Sequence, residues 1–242
     1  MTRPFSQSDS GRKRGLITSP AHPCAYLPGR EAATTFIDPA VALTNDHYSK
    51  LAELGFRRSG SYIYRPTCPT CDACVPVRVP VRDFQHRQRE RRIWSRNLDI
   101  EVRPVPSVFR EDHFALFRTY ISSRHAGGGM DNPDPQQYQS FLNHGWSDTR
   151  LYEFRQEHNL LAVAVTDHLG NGLSAVYTFF DPAERQRSLG IFAILWQIQE
   201  ARRRQLQWLY LGYWIEECLK MKYKGDFRPL QAYQGGQWGL CD

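Results

Sequence analysis

The amino-acid sequence predicts an α/β (α+β) protein, and three features predict it. From residue 150 three strand-like segments follow one another through tight turns. An amphipathic helical segment and a short apolar strand come next, so a meander is followed by a crossover. Before residue 105 the texture is mixed, with short strand signals, one arginine-rich helical stretch and cysteines set among prolines. A chain of 242 residues fits one large domain or two modest ones and can bury a real core. The expected division is a mobile arm over 1–19, a smaller N-terminal domain with the cysteines over 20–104, and a C-terminal domain over 105–242.

Residues 1 to about 19 are polar and aperiodic, which gives the arm. HPCAYLPGR (His22 to Arg30) carries two prolines and a glycine and reads as ordered loop. In TNDHYSKLAELG, Thr44 is placed to cap a helix with Tyr48, Leu51 and Ala52 on one face, and Gly55 to end it. FRRSGSYIYRP turns at Ser59-Gly60 between strand-like halves, a hairpin signal. CVPVRVPV alternates Val75, Val77, Val79 and Val81 with Pro76, Arg78 and Pro80, and the two missing N–H groups place it at a sheet edge. HRQRERRIWSRN reads as a helix and DIEVRPV as a strand. Pro106 and Ser107 stand before the helix FREDHFALFRTYISSRH, whose stripe is Phe114, Phe117 and Ile121. AGGGMDNPDP (Ala126 to Pro135) is the expected break in rigidity, and QQYQSFLNH a short helix after it.

RLYEFRQ, LLAVAVTDH and GLSAVYTFFDP are the three strands, with Gly170-Asn171-Gly172 as the clearest turn. SLGIFAILWQIQEARRRQ sets Ile191, Ile194, Leu195, Ile198 and Ala201 on one helix face. WLYLG reads as a short buried strand and YWIEECLKMKYK as a final helix. This order matches the acetyltransferase-like (GNAT) architecture, an analogy of fold that assigns no activity by itself.

Lys and Arg number 31 against 25 Asp and Glu, a formal charge of +6, which allows a polyanionic partner without requiring one. The 41% hydrophobic and 13% aromatic content excludes a disordered chain. MTRPFSQSDSGRKRGL has no apolar segment behind its charges, so no secretory signal is read, and the longest apolar run, Ile191 to Trp196, is too short for a membrane span. Six cysteines without an export signal point to the cytoplasm, where thiols bind metal, react or pack.

CPTCDACV holds Cys68, Cys71 and Cys74 at a spacing from which thiolates can chelate one ion. No second C-x-x-C follows at zinc-ribbon distance, and Arg78 stands where an iron–sulfur run would put its fourth cysteine. Cys24 is the nearest further thiol. A zinc or iron–sulfur centre on Cys24, Cys68, Cys71 and Cys74 and a proline-braced corner of packed thiols stand as equal readings.

GFRRSGSYIYRPTCPTCDACVPVRVPV, RHAGGGMDNP, AVYTFFDP with RSLGIFAIL, and WLYLGYWIEECLKMKYK resemble the bacterial leucyl-tRNA–protein transferases of the arginyl-tRNA–protein transferase family. The likeness spans His22 to Phe227. It implies a GNAT-like catalytic domain and a cysteine-bearing N-terminal domain. It also implies leucyl-tRNA as donor and proteins beginning with Asp or Glu as acceptors, marked thereby for degradation by the N-degron (N-end rule) route. Eukaryotic relatives are held to use N-terminal-domain cysteines for a metal or iron–sulfur centre.

Such a reaction is aminolysis of an activated ester. The attacking α-amine has a pKa of about 7.7–8.0, so no strong base is required, and juxtaposition supplies much of the rate. Asp181, at the end of a strand, is the candidate base or amine-orienting carboxylate. Ser188, with the amides near Gly190, is the candidate oxyanion donor, and Tyr177 and Tyr213 would frame the pocket. Singly, Asp181 reads as a turn residue and Ser188 as a helix cap; their joint position gives the chemical reading. A CoA enzyme of this architecture presents R/Q-x-x-G-x-G/A before the helix; RQRSLGIF has one glycine, so CoA is not expected. No cofactor is required by the chemistry. Arg87, Arg89, Arg91, Arg92 and Arg96 form a cationic stretch for tRNA phosphates, with Arg89, Arg92 and Arg96 on one helix side. Trp94 is expected to pack, and Arg202, Arg203 and Arg204 to compensate a helix C-terminus. Arg78, then Arg57 and Arg58, are the candidates to grip an acidic N-terminal side chain. The competing functions are a metal-knuckle nucleic-acid-binding regulator without catalysis and a CoA-dependent N-acyltransferase.

Overall fold

The computed structural model describes residues 15–124, 133–142 and 145–241. Arm residues 1–14 and loop residues 126–132 therefore lie outside the described residues. The end of the expected arm is a strand, β1 (Leu16–Thr18), which pairs with β4 (Thr34–Ile37) once β2 (His22–Pro23) and β3 (Glu31–Ala32) have formed a small ribbon. The alternation of Thr35 with Phe36 and Ile37 was too short to reveal it. Helix α1 (Asn45–Glu53) begins where Thr44 caps it, Oγ1 accepting from the His47 N–H at 3.2 Å, and Gly55 follows at φ +80°. β5 (Arg57–Ser59) and β6 (Tyr62–Pro66) form the expected hairpin, and the small sheet runs β1-β4-β6-β5.

The remaining elements build one larger sheet and its helices. They are β7 (Val75–Pro80), α2 (Gln88–Arg96), β8 (Glu101–Pro106), α3 (Glu111–Arg124), α4 (Pro135–Leu142), β9 (Thr149–Gln156), β10 (Asn159–His168) and β11 (Gly172–Phe180). α5 (Leu189–Arg203), β12 (Trp208–Trp214), β13 (Gln231–Gln234) and β14 (Gln237–Leu240) complete them. The eight-stranded order is β14-β13-β7-β12-β11-β10-β9-β8. β8 to β11 is the antiparallel meander, and α5 carries the chain back so that β12 runs parallel to β11. The sheet does not follow a division at 104–105, since β7 and β8 both belong to it.

α5 packs on one face of this sheet through Leu195, Ile198 and Ala201, all fully buried, together with Phe192 and Ile194. Each such large side chain contributes about 1.5–3 kcal/mol on leaving water. On another face Phe114, Phe117 and Ile121 of α3 meet Val163, Val165, Val176 and Phe179.

Two expectations are corrected. β7 is an interior strand, between β12 and β13. β13 stands opposite only Val77 and Arg78, so neither proline faces a residue of that neighbour and the missing N–H groups need no partner there. YWIEECLKMKYK is not a helix. Its first residues belong to β12, residues 215–221 turn, and 3₁₀ turns occupy Lys222–Asp226. Ile215 and Cys218 are anchored beside Leu27 while Leu219 is 90% exposed, so no helical stripe of apolar residues meets the core. The β13–β14 hairpin that follows was not anticipated.

Candidate active site

β11 and β12 pair only at Gly172–Trp208, Leu173–Leu209 and Ser174–Tyr210. Beyond these positions each strand continues without pairing to the other, a crevice in the hydrogen-bond ladder. Backbone acceptors freed by the parting need other donors. Arg57, on β5, serves β11: its Nη2 donates to the carbonyl of Ala175 at 2.9 Å and to that of Val176. Lys224, in the 222–226 turn, serves β12: its Nζ donates to the Tyr213 carbonyl at 2.7 Å. Lys224 is buried, and burial first, then the charge of Arg57, holds its amine well below the ordinary lysine range. Gly212, at φ +75°, admits the arginine, because a Cβ there would collide with the Arg57 guanidinium. Arg57 Nη1 and Trp214 Nε1 are buried donors with no hydrogen-bond partner among the described residues.

These strands and their neighbours carry several aromatic residues. The Tyr213 hydroxyl lies 3.0 Å from the carbonyls of both Gly55 and Tyr64, and burial raises its phenol. Tyr177 is on β11 with its ring 6.2 Å from that of Tyr120, which is itself 4.8 Å from Phe180. The Arg124 guanidinium stands 5.9 Å from the Tyr120 ring and 5.8 Å from that of Phe180. Half-buried Tyr223 is within electrostatic reach of Arg57, Tyr120 and Arg124 and links the two groups.

Asp181 closes β11. Its Oδ1 accepts from the Ala183 N–H at 2.9 Å, and its own N–H reaches the Leu161 carbonyl at 2.8 Å. Ser188 precedes α5 at φ +53°; its hydroxyl makes no capping bond, while its carbonyl accepts from Ile191 and Phe192 at 3.0 Å each. Gly190 lies against Phe180, so this helix start sits beside the end of β11.

The exposed arginines of α2 divide between two edges. On one edge Arg89 pairs with Asp226 at 2.7 Å, and Arg96 donates to the Gln186 carbonyl; Arg92 lies between them. Asn97 Nδ2 adds a bond to the Arg187 carbonyl at 2.9 Å. That edge thus runs from the turn carrying Lys224 to the segment that opens α5. Arg87 and Arg91 lie on the other edge, with Arg91 donating to the His86 carbonyl at 3.0 Å. Trp94 packs against His86 and Phe192, at 5.3 and 5.4 Å. At the end of α5, Arg203 and Arg204 pair with Glu200, and Arg202 donates to the carbonyls of Val81 and Phe84.

Two of the arginines read from the sequence as carboxylate binders lie away from the crevice. Arg78 points into the interior, where its guanidinium stands 3.6 Å from the Trp208 ring and 4.2 Å from that of Trp238 and bonds Gln231 at 2.9 Å. It is buried because β7 is not an edge strand. Arg58 grips Asp167 with two bonds of 2.7 and 2.8 Å, both side chains fully buried.

The family descriptions for the N terminus and the C terminus of arginine-tRNA-protein transferases match residues 22–92 and 112–234. The chain belongs to the arginine-tRNA-protein transferase family. A relative from Alcanivorax borkumensis named aspartate/glutamate leucyltransferase is 51% identical over 92% of each chain. One of the same name from Hahella chejuensis is 49% identical over 92% of this chain and 95% of its own. A third, from Pseudomonas fluorescens, is 48% identical over 96% and 98%. Among solved structures, the C-terminal domain of a putative lysylphosphatidylglycerol synthetase from Agrobacterium fabrum aligns with 59% of this chain and 47% of its own at a TM-score of 0.46 and 11% identity.

For a transferase of this family the cysteines invite a test of fit. Cys24, Cys71 and Cys74 pack around Leu27, Ile215 and Cys218, and Cys68 lies within electrostatic reach of Cys74. Cys24 Sγ accepts from the N–H groups of Tyr26 and Leu27 at 3.4 Å, Cys71 Sγ from Arg30 at 3.4 Å, and Cys68 Sγ donates to the Ala33 carbonyl at 3.7 Å. A tetrahedral zinc would bring sulfurs to about 4 Å of one another. Among the described residues the one grouping of ligand atoms within 4.8 Å is Asp112, His113 and Glu153, and Arg110 and Arg155 already pair with its carboxylates. The thiols gather without forming a ligand set of that compactness. Sequence reasoning missed Lys224 and Tyr223, which it placed on a helix, and Tyr120 and Arg124, which look like ordinary helix-surface residues.

Proposed function

We infer that this chain transfers leucine from leucyl-tRNA to the α-amine of proteins beginning with Asp or Glu, the tagging step of the N-end rule route. The observation that carries the reading is the parting of β11 from β12, capped by Arg57 and Lys224, together with an Arg89–Arg92–Arg96 edge of α2 that meets its surroundings at Asp226, two residues from Lys224, and at Gln186. The relatives' name supports leucine and acidic acceptors; the shared family supports a charged tRNA as donor.

In this reading the acidic acceptor side chain enters the crevice and meets Arg57, whose Nη1 has no other partner among the described residues. Arg58 and Arg78 are committed to Asp167 and to the tryptophans, so the choice among the three falls on Arg57. The 3′ end of the tRNA lies along α2 toward the start of α5, with the leucyl side chain against Tyr120, Tyr177 and Phe180. Amine attack on the ester carbonyl gives a tetrahedral oxyanion, for which the amides of Leu189 and Gly190 are the donors, while Asp181 orients the amine. Collapse forms the peptide bond, and the ribose oxygen leaves with the proton. Holding amine and ester together supplies the main acceleration.

Transfer of labelled leucine from charged tRNA to peptides beginning with Asp, Glu, Asn or Ala tests this. The first two are expected to be modified and the others not. Arg57→Gln is expected to lower kcat/KM on the Asp peptide about 10- to 100-fold, the worth of a lost charge-assisted bond. Acyl transfer from a CoA thioester, or tRNA retention with no transfer, would remove the reading.

A further inference from the structure

Two strands that part expose carbonyls on both lips, and here two basic side chains from different elements cap them: Arg57 for Ala175 and Val176, Lys224 for Tyr213. Arg57 has an obvious reason to be charged. Lys224 does not. It is buried, its amine has one acceptor at 2.7 Å, and among the described residues the charged and titratable groups acting on it are Arg57 and the Cys218 thiol. An ammonium in that setting carries two unanswered N–H groups beside a guanidinium, an arrangement that favours the neutral amine. The depressed amine described above agrees with this placement.

A neutral lysine beside an arginine is a base that lacks only a counter-charge. An acidic side chain inserted at Arg57 Nη1 would supply that counter-charge and make Lys224 basic. The first residue of such an acceptor carries its α-ammonium a few bonds from its carboxylate, so both reach the same floor.

We propose that Lys224 accepts the proton of the acceptor's α-ammonium when the neighbouring acidic side chain docks on Arg57. The step balances: R–NH₃⁺ and Lys–NH₂ become R–NH₂ and Lys–NH₃⁺, and the new ammonium is paired by the carboxylate that induced it. The free amine then attacks the ester, and the proton on Lys224 returns to solvent as the product leaves. Acidic specificity and amine activation become one event, since a neutral N-terminal side chain brings no charge to raise the basicity of Lys224. The proposal rests on the crevice being the acceptor site, as argued in the preceding section.

The test uses the full chain and two peptides that differ at the α-nitrogen, one with free N-terminal Asp and one N-acetylated. Calorimetric titration in two buffers of different ionisation enthalpy near neutral pH counts protons exchanged with solvent. The acetylated peptide has no ammonium to give and is expected to draw up to one proton from the buffer, while the free peptide draws little. Lys224→Arg keeps a donor for the Tyr213 carbonyl but is always charged, and is expected to abolish the uptake. Kinetically, Lys224→Met and Lys224→Arg are expected to lose about 100-fold or more in kcat on the Asp peptide, the usual worth of a proton acceptor. The loss should shrink as pH rises and the α-amine deprotonates unaided. Wild-type uptake of no proton from the acetylated peptide, or unchanged uptake in Lys224→Arg, overturns the proposal. Should Lys224→Met fail to fold, the wild-type and Lys224→Arg titrations still decide. Arg57→Gln separates the two readings: if it leaves the Asp/Asn preference intact, the crevice is not the acceptor site; if it removes the preference while Lys224 variants keep full kcat, only the proton role falls.

Discussion

A side chain at position 212 would occupy the space that the Arg57 guanidinium fills, and the backbone there, at φ +75°, suits only glycine without strain. Two separate costs therefore meet in Gly212→Ala. The left-handed backbone costs about 1–3 kcal/mol for a residue with a Cβ. The collision forces Arg57 off the carbonyls of Ala175 and Val176, removing its bonds to β11. Urea unfolding is expected to show a lower midpoint at unchanged slope, and leucyl transfer to Asp peptides should fall at least as far as in Arg57→Gln. Wild-type kinetics in a folded Gly212→Ala protein would mean that Arg57 does not need this path. The same strand shows how much a single position decides: Arg57 enters the crevice while its neighbour Arg58 enters an internal ion pair, because successive strand residues point to opposite sides.

At the scale of elements, the two edges of α2 make unequal demands on a polyanion. The edge of Arg89, Arg92 and Arg96 is fixed at both ends, at Asp226 and at Gln186, whereas Arg87 and Arg91 lie on the other edge. The Arg89–Asp226 pair is half exposed, so a phosphate can replace the carboxylate at little cost. Replacing the three arginines of the first edge by alanine is expected to reduce the slope of log K against log salt for tRNA by roughly 2–3, about 0.7–0.9 per lost phosphate contact. Replacing Arg87 and Arg91 should change it less, and neither set should alter the Asp/Asn preference of the reaction. Equal slopes for both sets would place the RNA elsewhere. Elements with a local signature were legible in the sequence. α1 announces itself by Thr44 and Gly55, the meander by its turns, and α5 by its apolar face. What failed depended on partners distant in sequence. Nothing local tells that β13 will lie against β7 between its prolines, or that the segment after β12 will be pinned by Ile215 and Cys218 rather than wound into a helix. The site follows the same rule. That the end of β11 and the start of α5 lie side by side could be read from the order of elements, but the meeting of basic residues at the parting could not. Arg57 and Lys224 are more than 160 residues apart and meet only because two strands separate.

Among the described residues a buried ion pair ties the four-stranded sheet to the eight-stranded one. Arg58 of β5 holds both oxygens of Asp167 on β10, and Thr149 of β9 donates to the same carboxylate at 2.6 Å. Desolvating both charges offsets much of their attraction, so the pair itself stabilises little, whereas an orphaned partner costs heavily. Arg58→Met is accordingly expected to destabilise the protein by about 3–5 kcal/mol, and Arg58→Met with Asp167→Leu by much less. The single variant should also lose transfer to acidic peptides before it unfolds, because β5 is the strand that delivers Arg57 to the crevice and its neighbour is the tether. Denaturant midpoints for the two proteins, with kcat/KM measured at low denaturant, read both effects. A double variant no more stable than the single would mean that the cost lies in lost packing of the long Arg58 side chain, not in a stranded Asp167 charge. Activity that survives at full strength in a destabilised Arg58→Met protein would mean that the small sheet holds Arg57 by its other contacts, the Tyr213 bonds to Gly55 and Tyr64 foremost.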